Sequence, residues 1–473
     1  SCTRRTTLRG GLFRIRGYSP MPNLSRVLGL RDLTLLILGL VIGSGIFLVP
    51  GAVLKQVDNR VGVALLVWLA GGVLSLLGAL TYGELSAGNP KAGGLYVYIR
   101  DCFGPLLSFL FGWSLFFAIG SGAVATLAVA FSKYLGEVIA LSPLAAKLVS
   151  VAMIAVVAAV NVMGTRKSSD VTNWATAIKV GAILAMSAAL LWFGVGMEKA
   201  SESLWPDRFE SSVASNFGLA MVSVLWAYEG WQFATFSAGE TVNPQRNFPR
   251  AFLMGTAALI GIYLVANVAY LAALGPEGVS QSSSVAASSL RAVVNPQVAK
   301  LIAVAIGISI FSAANSIILT SPRVYYAMAS DGVFFSSLAK VHPRWRTPAV
   351  AIIASAVWAS VLSMLGTFSE LLTYVVFTGW IFYGLAGVSI FVYRKRALEG
   401  FPGYRVPGYP LTPLLFIVAA GAVVLNTLVA KLQESPLRTG MALGVILLGV
   451  PAYFIWRSRS AALLEPAVNT EGD

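Results

Sequence analysis

Two ionisable residues stand in apolar surroundings where a charge needs a reason. Glu229 lies in Trp226-Ala227-Tyr228-Glu229-Gly230-Trp231, and Lys179 lies six residues past Asn173 in Asn173-Trp-Ala-Thr-Ala-Ile-Lys179. A charge at the centre of a bilayer costs about 2.5 to 3.5 kcal/mol on insertion scales, so Glu229 requires water, a proton or a partner there. It reads either as a paired or protonated structural acid or as a functional one. Six residues of helix rise correspond to about 9 Å, so the Lys179 ammonium either snorkels part of the way to the surface or bridges to backbone carbonyls of another segment. Near the midpoint of an earlier apolar stretch, Gly43-Ser44-Gly45 brings together residues that weaken a helix interior and free the backbone to unwind. The spacing of Gly39 and Gly43 equally suits close helix packing.

The elements that position these residues are membrane spans. The chain of 473 residues is 57% hydrophobic and 11% charged. Its mean hydropathy is +0.76. Soluble domains carry about 25% charged residues, so a water-facing surface is excluded. Stretches of about 20 apolar residues, the length that crosses the hydrocarbon, occur twelve times. They cover 34–54, 62–87, 96–131, 143–163, 173–196, 215–238, 251–274, 298–328, 348–367, 370–393, 410–430 and 438–457. The formal charge of +14 would suggest an acidic partner in a soluble protein. Assigning the loops alternately to two sides places 23 of the 34 basic residues on the side of the N-terminus and 10 on the other, with Lys179 inside a span. The charge therefore records orientation and predicts cytoplasmic termini, not nucleic-acid binding.

Residues 1–31 form an arginine-rich arm with no acid. The chain begins with Ser1 and its first methionine is Met21, so residues 1–20 are read as preceding the native start, with a basic arm as the alternative. The first apolar stretch is a full span with no small-residue cleavage site after it, so it is expected to remain as a helix rather than a removed signal. Only two cysteines, Cys2 and Cys102, and one histidine, His342, are present. Neither a disulfide framework nor a histidine or cysteine metal centre is supported, and no metal or cofactor is expected. No phosphate loop, zinc motif or Ser-His-Asp set is found, which argues against an enzyme.

Spans 1 and 6, the two interrupted ones, open each half of a five-plus-five arrangement, the sequence pointer to an inverted-repeat transporter. Unwinding exposes N–H groups at the start of one half-helix and C=O groups at the end of another, which suit an anion and a cation. An α-amino acid carries both charges a few ångströms apart, so the zwitterion is the favoured substrate class.

The chain resembles the amino acid-polyamine-organocation superfamily, and within it the L-type and alanine-serine-cysteine exchanger group. The resemblance rests on Gly43-Ser44-Gly45-Ile46-Phe47, Phe111-Gly112-Trp113-Ser114-Leu115, Lys179, Trp226-Ala-Tyr-Glu-Gly-Trp231, Gly239-Glu240-Thr-Val-Asn243-Pro244-Gln-Arg246-Asn247-Phe-Pro249 and Asn315-Ser-Ile-Ile-Leu-Thr320-Ser321-Pro322-Arg323. It runs from about residue 30 to residue 457. It implies an all-α membrane protein of twelve transmembrane helices with the leucine-transporter-type fold. Residues 32–197 and 198–396 would be the inverted repeats, 397–458 the two extra spans, and 1–31 and 459–473 the cytoplasmic arm and tail.

By the same resemblance, amides around Gly43, Ser44, Gly45 and Ile46 hold the substrate carboxylate. Carbonyls of Val41, Trp226 and Glu229 receive its ammonium, with Ala227, Tyr228 and Gly230 completing the break. Trp226 is the gate that closes over the substrate. Gly120, Ser121, Gly122, Gly379 and Trp380 line a side-chain pocket, and Ser312 and Asn315 join Lys179 as positions that couple binding to conformation. Lys179 would stand where a sodium ion otherwise binds.

Animal light chains of this group carry a cysteine after span 3 for linkage to a glycoprotein, and residues 133–144 contain none. A stand-alone, microbial-type carrier in a bacterial-type inner membrane is expected, with amino acids and the lipid bilayer as its partners. Acidic residues at the Glu229 position occur in members that accept cationic or polar substrates, so both neutral and cationic amino acids stay in play. The expected function is sodium-independent amino acid exchange by alternating access. Proton-coupled uptake is the alternative within transport, and a non-transporting amino-acid sensor the alternative outside it.

Overall fold

The protein is described here from a computed structural model covering residues 26, 28–91, 93–163, 168–206, 208, 211–293, 296–345, 347–396, 403–434 and 436–462. Most of the arginine-rich arm, the Cys2 thiol, the start-site question and the expected tail beyond residue 462 lie outside the described residues. The chain is helical: α1 (Leu30–Val41), α2 (Gly45–Gln56), α3 (Val61–Gly88), α4 (Leu95–Phe103), α5 (Pro105–Ser114), a π-helical turn (Leu115–Ile119), α6 (Gly120–Gly136), α7 (Pro143–Met163), α8 (Ser168–Phe193) and α9 (Met197–Glu202). It continues with α10 (Ser211–Ala227), a 3-10 segment (Trp231–Glu240), α11 (Pro244–Gln281), α12 (Val285–Val293), α13 (Pro296–Thr320), α14 (Pro322–Ser330), a short 3-10 turn (Ser336–Ala339), α15 (Ala349–Leu365), α16 (Phe368–Arg396), α17 (Leu411–Glu434) and α18 (Pro436–Ala462). Among the described residues β structure is limited to one bridge, between Leu28 and Thr241.

Among the described residues eight helices are long and apolar enough to cross a membrane, and nine spans result when α1 and α2, bent by 49° to one another, count as one. Three shorter apolar helices accompany them, Ser211–Ala227, Ala349–Leu365 and Leu443–Ser458. The protein is thus an integral, multi-pass membrane protein. Three further expected spans divide: 215–238 leaves the α-helix after Ala227, 298–328 breaks at Ser321, and 96–131 splits, with α4 separate and the span beginning at Pro105. Gly104 has φ +90° and precedes a proline, a pair that ends one helix and restarts another at a new angle.

Burial separates the centre from the rim. The span Pro105–Gly136 is 78% buried over its most apolar window, whereas Leu411–Glu434 is 22% buried. On α8 the rings of Trp174 and Trp192 are turned outward, as suits a lipid-facing helix. In the central span the carbonyls of Leu115 and Phe117, within the π-helical turn, each accept a side-chain donor from another helix. The Tyr325 hydroxyl donates to the first at 3.1 Å and the Trp358 indole N–H to the second at 2.8 Å, so α14 and α15 hold this turn in place.

At the end of the bundle where α3 and α16 finish, the Arg394 guanidinium donates to both oxygens of Glu84 at 2.7 and 2.6 Å, and the Val406 N–H adds a third bond at 2.6 Å. Glu84 is fully buried. Removing one member of such a pair leaves an uncompensated buried charge, about 3 to 5 kcal/mol in comparable cases. Nearby, Arg100 pairs with Asp331 at 2.8 Å. Burial alone would lower the pKa of Arg100, but Asp331 and Asp101 outweigh it and hold the group above its ordinary value, so it stays charged.

Candidate functional site

Two helix breaks meet at the centre. The first is Ile42-Gly43-Ser44, between α1 and α2, where Ile42 takes an extended conformation (ψ 91°). The second is Tyr228-Glu229-Gly230, after which the chain resumes as a 3-10 helix rather than an α-helix. Glycine is required at each for a different reason. Gly230 has φ +125°, and a Cβ there would lie 2.6 Å from the carbonyl oxygen of Leu40. A Cβ on Gly45 would collide with the Cα of Ala227 and lie 2.6 Å from its Cβ. The end of α1 therefore rests on the second break and the start of α2 on the end of α10, an approach only a residue without a side chain allows.

Backbone polar groups freed by unwinding must find partners. Among the described residues no protein acceptor takes the N–H of Gly43, Ser44, Gly45 or Ile46. These amides open α2 at its positive dipole end, an arrangement that binds carboxylates. The carbonyls are treated differently. The Lys179 ammonium donates to Gly39 at 3.0 Å and to Ile42 at 3.1 Å. It is buried within the bundle, so the snorkelling account gives way to the bridge. The Tyr263 hydroxyl, from α11, lies 2.9 Å from the Ala227 carbonyl and 3.3 Å from that of Val41, joining the two breaks through one group.

Side chains complete the second break. The Glu229 Oε1 accepts from the Tyr383 hydroxyl at 2.6 Å and from the Gln232 amide. The Gln232 carbonyl oxygen in turn accepts the Gly230 N–H at 3.2 Å. Trp226 is buried, its indole N–H donates to the Ser44 hydroxyl at 3.3 Å, and its ring meets Phe368 edge-on. Tyr228 points the other way, packing its ring against Trp68 and Tyr263.

The remaining sequence-derived positions divide. Gly43 faces Leu127 of α6 and Ala313 of α13, and Gly122 faces Val375 of α16, where a Cβ would lie 2.8 Å from a methyl group. Ser121 is buried with no hydrogen-bond partner for its hydroxyl. Gly120 is covered by Tyr325 and Ser321, and Trp380 packs at a tilt against Phe416 of α17. Asn315 accepts from Asn161 of α7 at 2.7 Å, and Ser312 is also buried. Among the described residues the Lys179 ammonium bonds to Gly39 of α1 and to Ile42 just after it, not to α13.

Sequence reasoning passed over Tyr263, Tyr383, Gln232 and Glu84. Tyrosines and glutamine in apolar spans carry no spacing signal. Glu84 did have one, as an acid inside the stretch 62–87. Among the described residues no group of His, Cys, Asp and Glu is arranged to hold a metal ion.

A family model described as amino acid permease matches residues 28–451. The serine/threonine exchanger SteT of Bacillus subtilis (strain 168) is 31% identical over 445 residues, which cover 93% of this chain and 98% of that protein. The cystine/glutamate transporter of Homo sapiens is 31% identical over 453 residues, 93% of this chain and 88% of that one. The Asc-type amino acid transporter 1 of Mus musculus is 29% identical over 454 residues, covering 92% and 82%. With paired helix breaks meeting at its centre and a family match across nearly its whole length, the chain belongs to the amino acid permease family of the amino acid-polyamine-organocation superfamily.

Proposed function

We propose that the protein is a sodium-independent exchanger of L-amino acids, neutral and in the wider reading also cationic, that works by alternating access. The observation that carries this reading is the contact of the two breaks, with unpaired amides at Gly43 to Ile46 beside the carbonyl ends of α1 and α10. In the proposed complex the substrate carboxylate lies on the amides of Ser44, Gly45 and Ile46. Its ammonium lies by the carbonyls of Val41, Trp226 and Glu229, sharing the first with Tyr263. Trp226 closes over it, and Gly120, Ser121, Gly122, Gly379 and Trp380 bound its side chain.

Lys179 sets its terminal nitrogen against the carbonyls of Gly39 and Ile42, the place a sodium ion would otherwise fill, which is the basis for sodium independence. The nine spans and three shorter apolar helices support a twelve-helix reading on the leucine-transporter-type plan, with residues 32–197 and 198–396 as repeats and 397–458 as the added pair. We place the carrier in a bacterial-type inner membrane with both termini cytoplasmic, acting without a disulfide-linked glycoprotein.

The test is counterflow into liposomes, with serine and threonine first in the panel because a relative is a serine/threonine exchanger. Uptake of labelled amino acid should rise on preloading with unlabelled amino acid and be the same with and without sodium. Uptake into empty liposomes that is driven by an inward proton gradient and indifferent to preloading would replace exchange with proton coupling. Binding without any flux would make the chain a sensor.

A further inference from the structure

We propose that Tyr383 is a positioning residue that sets substrate charge selectivity, by tying the Glu229 carboxylate to α16 and withholding it from cationic side chains. The inference rests on the exchange reading above and adds its substrate charge class.

Glu229 is the acid at the meeting of the breaks, and among the described residues it makes no ion pair. Left free, it would attract a lysine or arginine side chain entering the site. Its position is held, because Oε1 takes two donors, Tyr383 and Gln232, while among the described residues no donor reaches Oε2. The 2.6 Å separation from the Tyr383 oxygen lies in the range of a charge-assisted O–H···O⁻ bond.

Tyr383 is itself fixed on three sides. Its carbonyl accepts the Tyr82 hydroxyl from α3 at 2.8 Å. Its ring fills the notch left by Gly379, where a Cβ would lie 2.9 Å from ring atoms. Trp380 packs edge-on beside it. The hydroxyl therefore cannot follow Glu229 toward a substrate. For the carboxylate to swing from this position toward a cationic side chain, the bond from Tyr383 to Oε1 must break.

Wild-type protein, Tyr383→Phe, Glu229→Gln and the double variant are reconstituted and loaded with serine. External serine uptake and its inhibition by external lysine are measured for each. In the wild type lysine should inhibit weakly. Tyr383→Phe should keep the serine KM within about twofold and lower the lysine inhibition constant roughly tenfold, the size of one hydrogen bond to a charged group. The gain should vanish in the double variant, which has no charge to unmask. Gly379→Ala, which pushes the ring from its notch, should move lysine inhibition in the same direction and provides a second route if Tyr383→Phe folds poorly. Unchanged lysine inhibition in both Tyr383→Phe and Gly379→Ala, or a gain that survives in the double variant, overturns the proposal. If no variant exchanges any amino acid, the exchange reading itself fails. Lysine and serine thermal shifts on the same proteins then decide the selectivity claim separately.

Discussion

The two helix breaks are built from similar residues and finished in opposite ways. The first, at Ile42-Gly43-Ser44, has its carbonyls taken by groups from distant helices, Lys179 and Tyr263, while its amides stay unpaired. The second, at Tyr228-Glu229-Gly230, satisfies much of itself: Gln232 takes the Gly230 amide and donates to Glu229, and Tyr383 adds a tie to α16. In the proposed reading the first break is the anion site, with the Lys179 nitrogen behind it. The second offers a pinned carboxylate. A zwitterion needs the first in full and only the carbonyls of the second, which is why we expect perturbations at the first break to weigh more.

That ranking is testable. Gly45→Val drives a side chain into Ala227 and fills the approach to the unpaired amides, and should weaken substrate binding roughly hundredfold in thermal-shift or equilibrium measurements. Unchanged affinity would remove the carboxylate site from α2. Lys179→Ala leaves the Gly39 and Ile42 carbonyls without their donor and should lower exchange rate some thirtyfold, with a smaller change in binding. A wild-type rate would mean the ammonium only fills space.

Tyr263→Phe removes the hydroxyl shared by both breaks, and about a tenfold rise in substrate KM is expected at near-normal stability. An effect confined to thermal stability would make that contact structural alone. The smallest change belongs to the second break. Glu229→Gln should alter serine exchange only about threefold, since the amide still accepts from Tyr383 through its oxygen. A loss as large as that of Lys179→Ala would reverse the comparison.

Much of this was legible in the chain. The two breaks announced themselves through glycines inside apolar stretches, Glu229 and Lys179 through charges in such surroundings, and the helical membrane class through hydropathy. Glu84 shows how the same logic was applied incompletely. It carries a charge within an apolar stretch near a span end, and its partner Arg394 lies 310 residues away, with no local pattern joining them. Tyr263 and Tyr383 had no signal at all, because a buried tyrosine hydroxyl declares its role only through what it reaches. Gly379 is legible as a pocket candidate, but that its missing side chain also makes room for the Tyr383 ring is not.

The sequence by itself determined which segments enter the membrane and where their helices weaken, because both depend on transfer energy and backbone propensity, which are local. Only the tertiary structure decided what becomes of the freed polar groups. Their partners come from α8, α11 and α16, and a hydrogen bond exists only where distant helices bring donor and acceptor within about 3 Å. The unpaired amides of Gly43 to Ile46 and the occupied carboxylate of Glu229 follow from that geometry, and with them the division of labour between the breaks.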